Sequence, residues 1–395
     1  MASCDVLIIG GGPAGSSCAW QLRRAGLDVI VWDRQEFPRD KVCAGWITPQ
    51  ILVELDLDAE AYAAAGRTFQ PIKGFRLSRL GDPDVCVRYG HPVSYSIRRC
   101  EFDDYLLRRS GAELRLGQPV RSLRRQDGEW VLNGTLRAKM LVGAGGHFCP
   151  VAQQLGAQPG SGEPIVAAQE MEFEMTVEQR RSCPVEAEVP EIFFTRDLKG
   201  YGWVVRKGNY LNIGLGRQDM QRLGSHVEAF LAMLERRGKI PSNRPVKPRG
   251  HPYLLCGQAQ RPLIGEAALL IGDAAGLAYP RSGEGIRPAI ESGLFAAQTI
   301  LDAHGQYDRD RLRAYEYRIL TRFGLRRAGW GITDIVPRRL AGVVAGQLFS
   351  TAWFARHVVL ERWFFHTHQA PLLSDTPTGS ASPRRAARPG VAAQL

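Results

Sequence analysis

The residues with the clearest chemical potential are glycines. Gly10, Gly12 and Gly15 stand in the run Gly10-Gly-Gly12-Pro13-Ala14-Gly15, directly after the apolar stretch Asp5-Val-Leu-Ile-Ile9. A short, continuously apolar run is the mark of a strand buried on both faces of a parallel sheet. In such a strand–turn–helix unit the first glycine permits the tight turn, the second lets backbone approach a pyrophosphate, and the third lets helix and strand pack closely. The helix expected over 16–25 then turns its unpaired N–H groups toward the phosphates. A second apolar strand over 28–32 ends in Asp33, eighteen residues after Gly15. An acid there can hydrogen-bond a ribose diol and repels a 2′-phosphate, so the pattern predicts a dinucleotide of the FAD or NAD kind rather than NADP.

A second glycine-rich segment lies far downstream. Leu269-Leu-Ile-Gly272-Asp273-Ala-Ala-Gly276 reads as an apolar strand ending in Gly272-Asp273, followed by Pro280, Gly283 and Gly285 and by a helical pattern over 286–303. An acid at a strand's end can hold ribityl hydroxyls, and a glycine-flanked helix start can offer N–H groups to the electron-rich edge of a flavin. Together the two halves resemble the FAD-binding fold shared by para-hydroxybenzoate hydroxylase, flavin-dependent halogenases and geranylgeranyl reductases. Arg99-Cys-Glu-Phe102-Asp103-Asp-Tyr-Leu106 looks like the Arg-x-x-Phe-Asp-x-x-Leu helix of that superfamily, whose Arg lies near the cofactor. Lys139-Met-Leu-Val-Gly143-Ala-Gly-Gly146 matches its middle motif, with Gly145 in place of the usual acid and Ala152 in place of the usual Arg. That departure argues against hydroxylase-like use of NADPH. The resemblance spans Asp5 to Leu301 and implies FAD held by Gly10, Gly12, Pro13, Ala14, Gly15, Asp33, Arg34, Lys41, Cys43, Ala44, Arg99, Gly145, Gly272, Asp273, Gly283, Gly285 and Ile286.

Between the middle motif and Gly272 the pattern changes to period two. Glu170, Glu172 and Glu174 alternate with Met171, Phe173 and Met175, which predicts an antiparallel strand with one wet face. With 191–195, 201–206 and 210–215 it predicts a sheet roofing the flavin. Tyr201-Gly-Trp203, ten residues, then Gly214-Leu-Gly216 resembles the substrate-cavity motif of geranylgeranyl reductases, with Val205-Arg206 in place of the family's Phe-Pro. Lys41-Val-Cys43-Ala44-Gly45 stands where those reductases carry a Cys-Gly pair. The resemblance implies substrate contacts from Trp46, Tyr201, Trp203, Arg206, Gly214 and Pro280, with Cys43, Tyr201 and Trp203 as candidate catalytic residues. Each also has a plainer reading: Tyr201 and Trp203 as ordinary sheet aromatics, Cys43 and Trp46 as packing residues. His147 and Cys149, beside the middle motif, read as loop packing.

Composition sets the frame for these motifs. A chain of 395 residues has room for two to three domains or for one large α/β domain carrying insertions. Its 44% hydrophobic and 23% charged residues exclude a wholly disordered, collagen-like or disulfide-scaffold protein. Lys and Arg outnumber Asp and Glu by 51 to 40, and the excess is spread along the chain, as suits anionic cofactors or membranes better than nucleic acid. Eight cysteines without a CxxC spacing point to a reduced, cytoplasmic protein lacking structural zinc. No window of about 20 apolar residues predicts a spanning helix. The segment 340–373 sets Arg356, His357, Glu361 and Arg362 among Trp353, Phe354, Trp363, Phe364 and Phe365, which predicts an amphipathic helix packed on the body, with peripheral membrane contact as the other reading.

The fold expected is α/β. A Rossmann-type FAD-binding domain (1–165 and 256–303) carries an inserted antiparallel β-sheet substrate domain (166–255), a C-terminal helical region (304–373) and a disordered tail (374–395). The leading functional reading is hydride transfer from reduced flavin to a C=C bond of a small lipophilic substrate. The alternatives are an FAD-dependent monooxygenase hydroxylating an aromatic group of a small molecule or peptide, and a redox-sensing flavoprotein without turnover. A halogenase Trp-x-Trp-x-Ile-Pro motif is missing, and no residue names the electron donor, NAD(P)H or another. Oligomeric state is likewise not encoded in any motif.

Overall fold

The computed structural model describes residues 1–158, 163–219, 222–324 and 347–372. The tail expected at 374–395 and the first part of the expected amphipathic segment lie outside the described residues. The first strand, Ala2–Ile9, sits at the centre of a sheet because Val6, Leu7 and Ile8 bury completely on both faces. It pairs in parallel with Val29–Trp32 on one side and Leu136–Gly143 on the other, and the parallel order continues to Glu113–Arg115 and Ala268–Leu270. The helix Pro13–Arg24 begins with proline at its first turn, where a missing N–H costs nothing. It lies against the helix Ile286–Asp302 so closely that a Cβ on Gly293 would strike the Ala14 carbonyl. Buried residues from Cys4 to Ala157 and from Cys256 to Ile319 share one hydrophobic core.

A seven-stranded sheet forms the second layer, in the order 249–254, 165–174, 210–217, 200–207, 191–194, 74–79 and 85–88. All neighbours are antiparallel except Glu191–Phe194 with Gly74–Arg79. The expected strands are present, and two further strands reach the sheet from the first part of the chain. One face carries Phe193, Val204, Leu211 and Ile213, covered by Val227, Phe230 and Leu231 of the helix Leu223–Arg236.

The other face is the one that matters for function, and it corrects an expectation. Glu170 and Glu172 do not form a wet outer face: Glu170 is 8% exposed, and both line an internal cavity. Met171, Phe173 and Met175 face the covering helix instead. Alternation identifies the two faces of a strand, and here the polar face meets a cavity in place of the outer surface.

A three-stranded sheet of Trp46–Ile47, Ser94–Ile97 and Phe69–Ile72 carries the chain from the 41–45 loop into the helix Arg99–Arg109. Near the C-terminus a short helical turn, Ala352–Phe354, runs into a π-helix, Ala355–Phe364. Its Ala355, Val359, Leu360 and Phe364 pack with Phe75, Phe194, Val205 and Trp46 on the cavity side of the seven-stranded sheet, so the described part of the amphipathic segment is docked on the body. Trp353 stays 67% exposed beside it. No helix among the described residues is long and apolar enough to cross a membrane.

Candidate active site

A cavity of about 820 Å³ runs between the two sheets. At one end Gly10, Gly12, Pro13, Ala14, Asp33 and Arg34 line it. Gly10 has φ +118°, and a Cβ there would collide with the Ala144 carbonyl, so the turn after the first strand admits only glycine. At Gly12 the nearest obstacle to a Cβ is the Arg39 guanidinium at 3.4 Å, leaving the backbone open to a ligand. Asp33 holds the loop with Oδ2, which accepts the Gly11 N–H at 2.8 Å, and still borders the cavity. Gly15 does not line the cavity; a Cβ on it would strike the Gly10 carbonyl, which makes it the close-packing glycine.

In the middle of the cavity lies a charged cluster. Asp273, at the end of its strand, is 3.9 Å from Lys41 Nζ and 3.5 Å from His251 Nε2, and Lys41 and His251 also contact each other. Burial pushes Lys41 down to about 8 against the opposing pull of Asp273, and burial likewise lowers His251. Burial opposes the ionisation of Asp273, but the His251 contact and the charges of Lys41 and Arg99 keep its carboxyl far below the usual range. Arg99 is held by a bidentate pair to Asp103, with two bonds of 2.8 Å, and Arg39 lies 3.4 Å from the same carboxylate. Lys41, Arg39 and Arg99, with His251 beside them, therefore form a cationic floor suited to an anionic ligand. Sequence reasoning named Lys41, Arg99 and Asp273; His251 and Arg39 carried no signal, since each joins the cluster through the fold.

The far end is aromatic. Trp46, Tyr201, Trp203 and Tyr253 line it, with Cys43, Ala44 and Gly45 between it and the cluster and Gly283, Gly285 and Ile286 opposite. The Tyr201 hydroxyl donates to the Ser282 carbonyl, tying the roof to the glycine turn. Trp203 Nε1 donates to Asn212 Oδ1 at 2.7 Å, and Asn212 Nδ2 reaches Glu170 Oε1 at 2.7 Å and the Cys43 carbonyl at 3.1 Å. Beneath them Lys207, fully buried, donates to Glu172 Oε2 at 2.7 Å, and Arg98 Nε donates to Oε1 at 3.0 Å. Gly145 also lines the cavity.

Four other expected positions do not line it. Arg206 points from the opposite side of its strand and donates to the Gly208 carbonyl at 3.3 Å, because Trp203 and Val205 take the inner face. Gly214 leaves space for the Trp203 ring, and Pro280 is exposed. Gly272, with φ +58°, donates its N–H to Ser292 Oγ at 2.9 Å and serves packing. His147 and Cys149 are buried in the neighbouring loop, where Arg261 donates to the His147 carbonyl at 2.8 Å. Among the described residues no group of His, Cys, Asp and Glu could hold a metal ion.

This geometry has counterparts among known proteins. Residues 5–85 match the FAD dependent oxidoreductase family. The menaquinone reductase of Mycolicibacterium smegmatis is 30% identical over 333 residues, covering 74% of this chain and 75% of that protein. The chain belongs to the FAD-dependent oxidoreductases of geranylgeranyl reductase type. Within that family, the digeranylgeranylglycerophospholipid reductase of Thermoplasma acidophilum is 26% identical, covering 82% of this chain and 85% of that one. A geranylgeranyl bacteriochlorophyll reductase-like protein of the same organism shares the fold with a TM-score of 0.70 over 88% of each chain, at 23% identity. FAD is the cofactor of this family, and the cavity fits it: the open Gly12 backbone and the cationic floor suit a diphosphate, and Asp273 with the glycine turn suits the flavin half.

Proposed function

We propose that this oxidoreductase reduces a C=C bond of a polyisoprenoid substrate. The supporting observation is the continuity of the cavity, from a cationic dinucleotide cradle past Cys43–Gly45 to an aromatic chamber backed by the docked π-helix. When bound, FAD supplies the hydride for such a reduction. The chain's own residues would do the rest. Gly10, Gly12, Asp33 and Arg39 bind the adenosine diphosphate half, and Lys41, Arg99 and Asp273 bind and orient the remainder. Trp46, Tyr201 and Trp203 position an apolar chain and exclude water, where a displacement of 1 Å can cost about a hundredfold in rate. Relatives named for menaquinone and for geranylgeranyl lipids suggest the substrate class.

The test is anaerobic. Purified holoenzyme is reduced with dithionite and mixed with menaquinone or geranylgeranyl diphosphate while flavin absorbance is followed. Substrate-dependent reoxidation, with two hydrogens added to the isoprenoid chain and not to the quinone ring as located by fragment mass spectrometry, supports the reading. Reoxidation that requires oxygen and yields an oxygenated product overturns it in favour of a monooxygenase.

A further inference from the structure

Reducing an alkene takes a proton as well as a hydride, and the reading above leaves the proton without a source. We propose that Glu170 is the acid that gives this proton to the substrate. The inference rests on the reductase reading and on an arrangement of two carboxylates only two residues apart on one strand.

Both line the cavity, yet their surroundings differ. Glu172 is locked by two cations, Lys207 at 2.7 Å and Arg98 at 3.0 Å. Among the described residues Glu170 has no such cation within ion-pair distance; its Oε1 accepts at 2.7 Å from the neutral amide of Asn212, which also reaches Glu172 Oε2 at 3.1 Å. The remaining groups that face Glu170 are few. Lys207 acts on it from two strands away but is spent on Glu172, the Cys43 backbone borders it from the loop, and Arg249, opposite it in the strand register, pairs with Asp40 on the surface at 2.7 Å. Burial raises Glu170 to about 7, helped by the charge of Glu172 and opposed by Lys207, whereas the two cations outweigh burial and lower Glu172. Two carboxylates driven apart by their environments are the recurring sign of an acid and a fixed charge working together. A group poised near the working pH is also the most effective proton donor.

The location completes the argument. Asn212 links Glu170 to the Cys43 carbonyl and to the Trp203 indole, so the acid stands where the aromatic chamber meets the Cys43–Gly45 loop. Glu284 also lines the cavity and is raised to about 7, but one of its oxygens caps the following helix at the Arg287 N–H, 2.7 Å away, and the other is enclosed by protein. In the reaction the Glu170 proton bonds to one alkene carbon and a hydride supplied by reduced FAD bonds to the other. The π bond is consumed, Glu170 is left as a carboxylate, and it regains a proton from water; the oxidised cofactor is re-reduced by the enzyme's electron donor.

The experiment compares wild-type holoenzyme with Glu170→Gln, Glu170→Asp and Glu284→Gln in the anaerobic reoxidation assay with geranylgeranyl diphosphate and with menaquinone, from about pH 5 to about pH 9. Glu170→Gln is expected to keep its flavin and its probe binding, to slow reoxidation by about a hundredfold or more, and to lose the fall in rate above neutral pH. Glu170→Asp is expected to restore that pH dependence. Difference infrared spectra provide a readout apart from turnover: protonated-carboxyl absorbance that titrates near neutrality in wild type, one component of which is lost in Glu170→Gln and persists in Glu284→Gln. An unchanged pH–rate profile in Glu170→Gln, loss of the profile in Glu284→Gln alone, or titrating carboxyl absorbance that Glu170→Gln leaves intact overturns the assignment of the acid by itself. Failure of wild-type enzyme to add two hydrogens to the isoprenoid chain of either probe overturns the reductase reading and the acid with it.

Discussion

Two glycines of the dinucleotide turn separate folding from cofactor binding. A methyl on Gly15 would meet the Gly10 carbonyl, so Gly15→Ala should lower the melting temperature sharply or abolish soluble protein. A methyl on Gly12 meets only the end of a flexible arginine, so Gly12→Ala should fold normally and bind less flavin. Thermal melts of the apoproteins, read beside the yellow absorbance of the purified proteins, test both outcomes; a stable Gly15→Ala protein would refute the packing role. Trp203 allows a similar separation. Trp203→Phe leaves a ring in place but strips Asn212 of its donor, which should cost about 1–3 kcal/mol in urea unfolding while FAD content stays stoichiometric. These positions were legible because glycine spacing and paired aromatics carry their meaning locally. Lys207, Asn212 and His251 were not, since a buried lysine or asparagine looks the same in sequence as a surface one until strand register places its partner.

At the scale of elements, the strand Ile165–Glu174 shows how periodicity can be right about shape and wrong about surroundings. Its two faces were readable; which of them met water depended on a neighbouring domain about which the alternation says nothing. The docked C-terminal π-helix was likewise half legible. Its aromatic and basic residues predicted an amphipathic face, and the tilt of Phe364 toward Trp46 and Tyr201, with ring centroids 6.1 and 5.5 Å away, came only from packing. Phe364→Ala should cost about 3–5 kcal/mol in denaturant unfolding and slow substrate-dependent flavin reoxidation more than it lowers flavin content. Equal loss of flavin and turnover would show that this helix supports the cofactor and not the chamber.

At the scale of the molecule, Glu54, Arg287, Glu291 and Arg322 form a buried knot that holds the backbone of Gln369, Ala370 and Leu372 against the helices behind the cavity. Burial raises the Glu54 carboxyl, and the neighbouring Glu291 adds to the shift against the pull of Arg287. A raised acid stabilises fully below its unfolded value, near 4.5, and that contribution is lost as pH climbs toward the folded value. Stability should therefore fall between mildly acidic and alkaline pH, and Glu54→Gln should flatten this slope, matching wild type near pH 4.5 and exceeding it at alkaline pH. Chemical denaturation at several pH values measures the slope; an unaltered one in Glu54→Gln would mean that Glu54 is ionised in the knot.

The roof over the chamber is stitched from two distant stretches of chain, with Glu191–Phe194 lying register-on-register beside Gly74–Arg79, Glu191 opposite Arg76. Recombination between related genes would feel this seam. Exchanging 166–255 alone would set a foreign edge strand beside the recipient's own 74–88 hairpin, whereas moving both stretches together preserves the pairing. Substrate preference in this scaffold should accordingly travel as two linked segments, and chimaeras that carry only one of them should fold poorly.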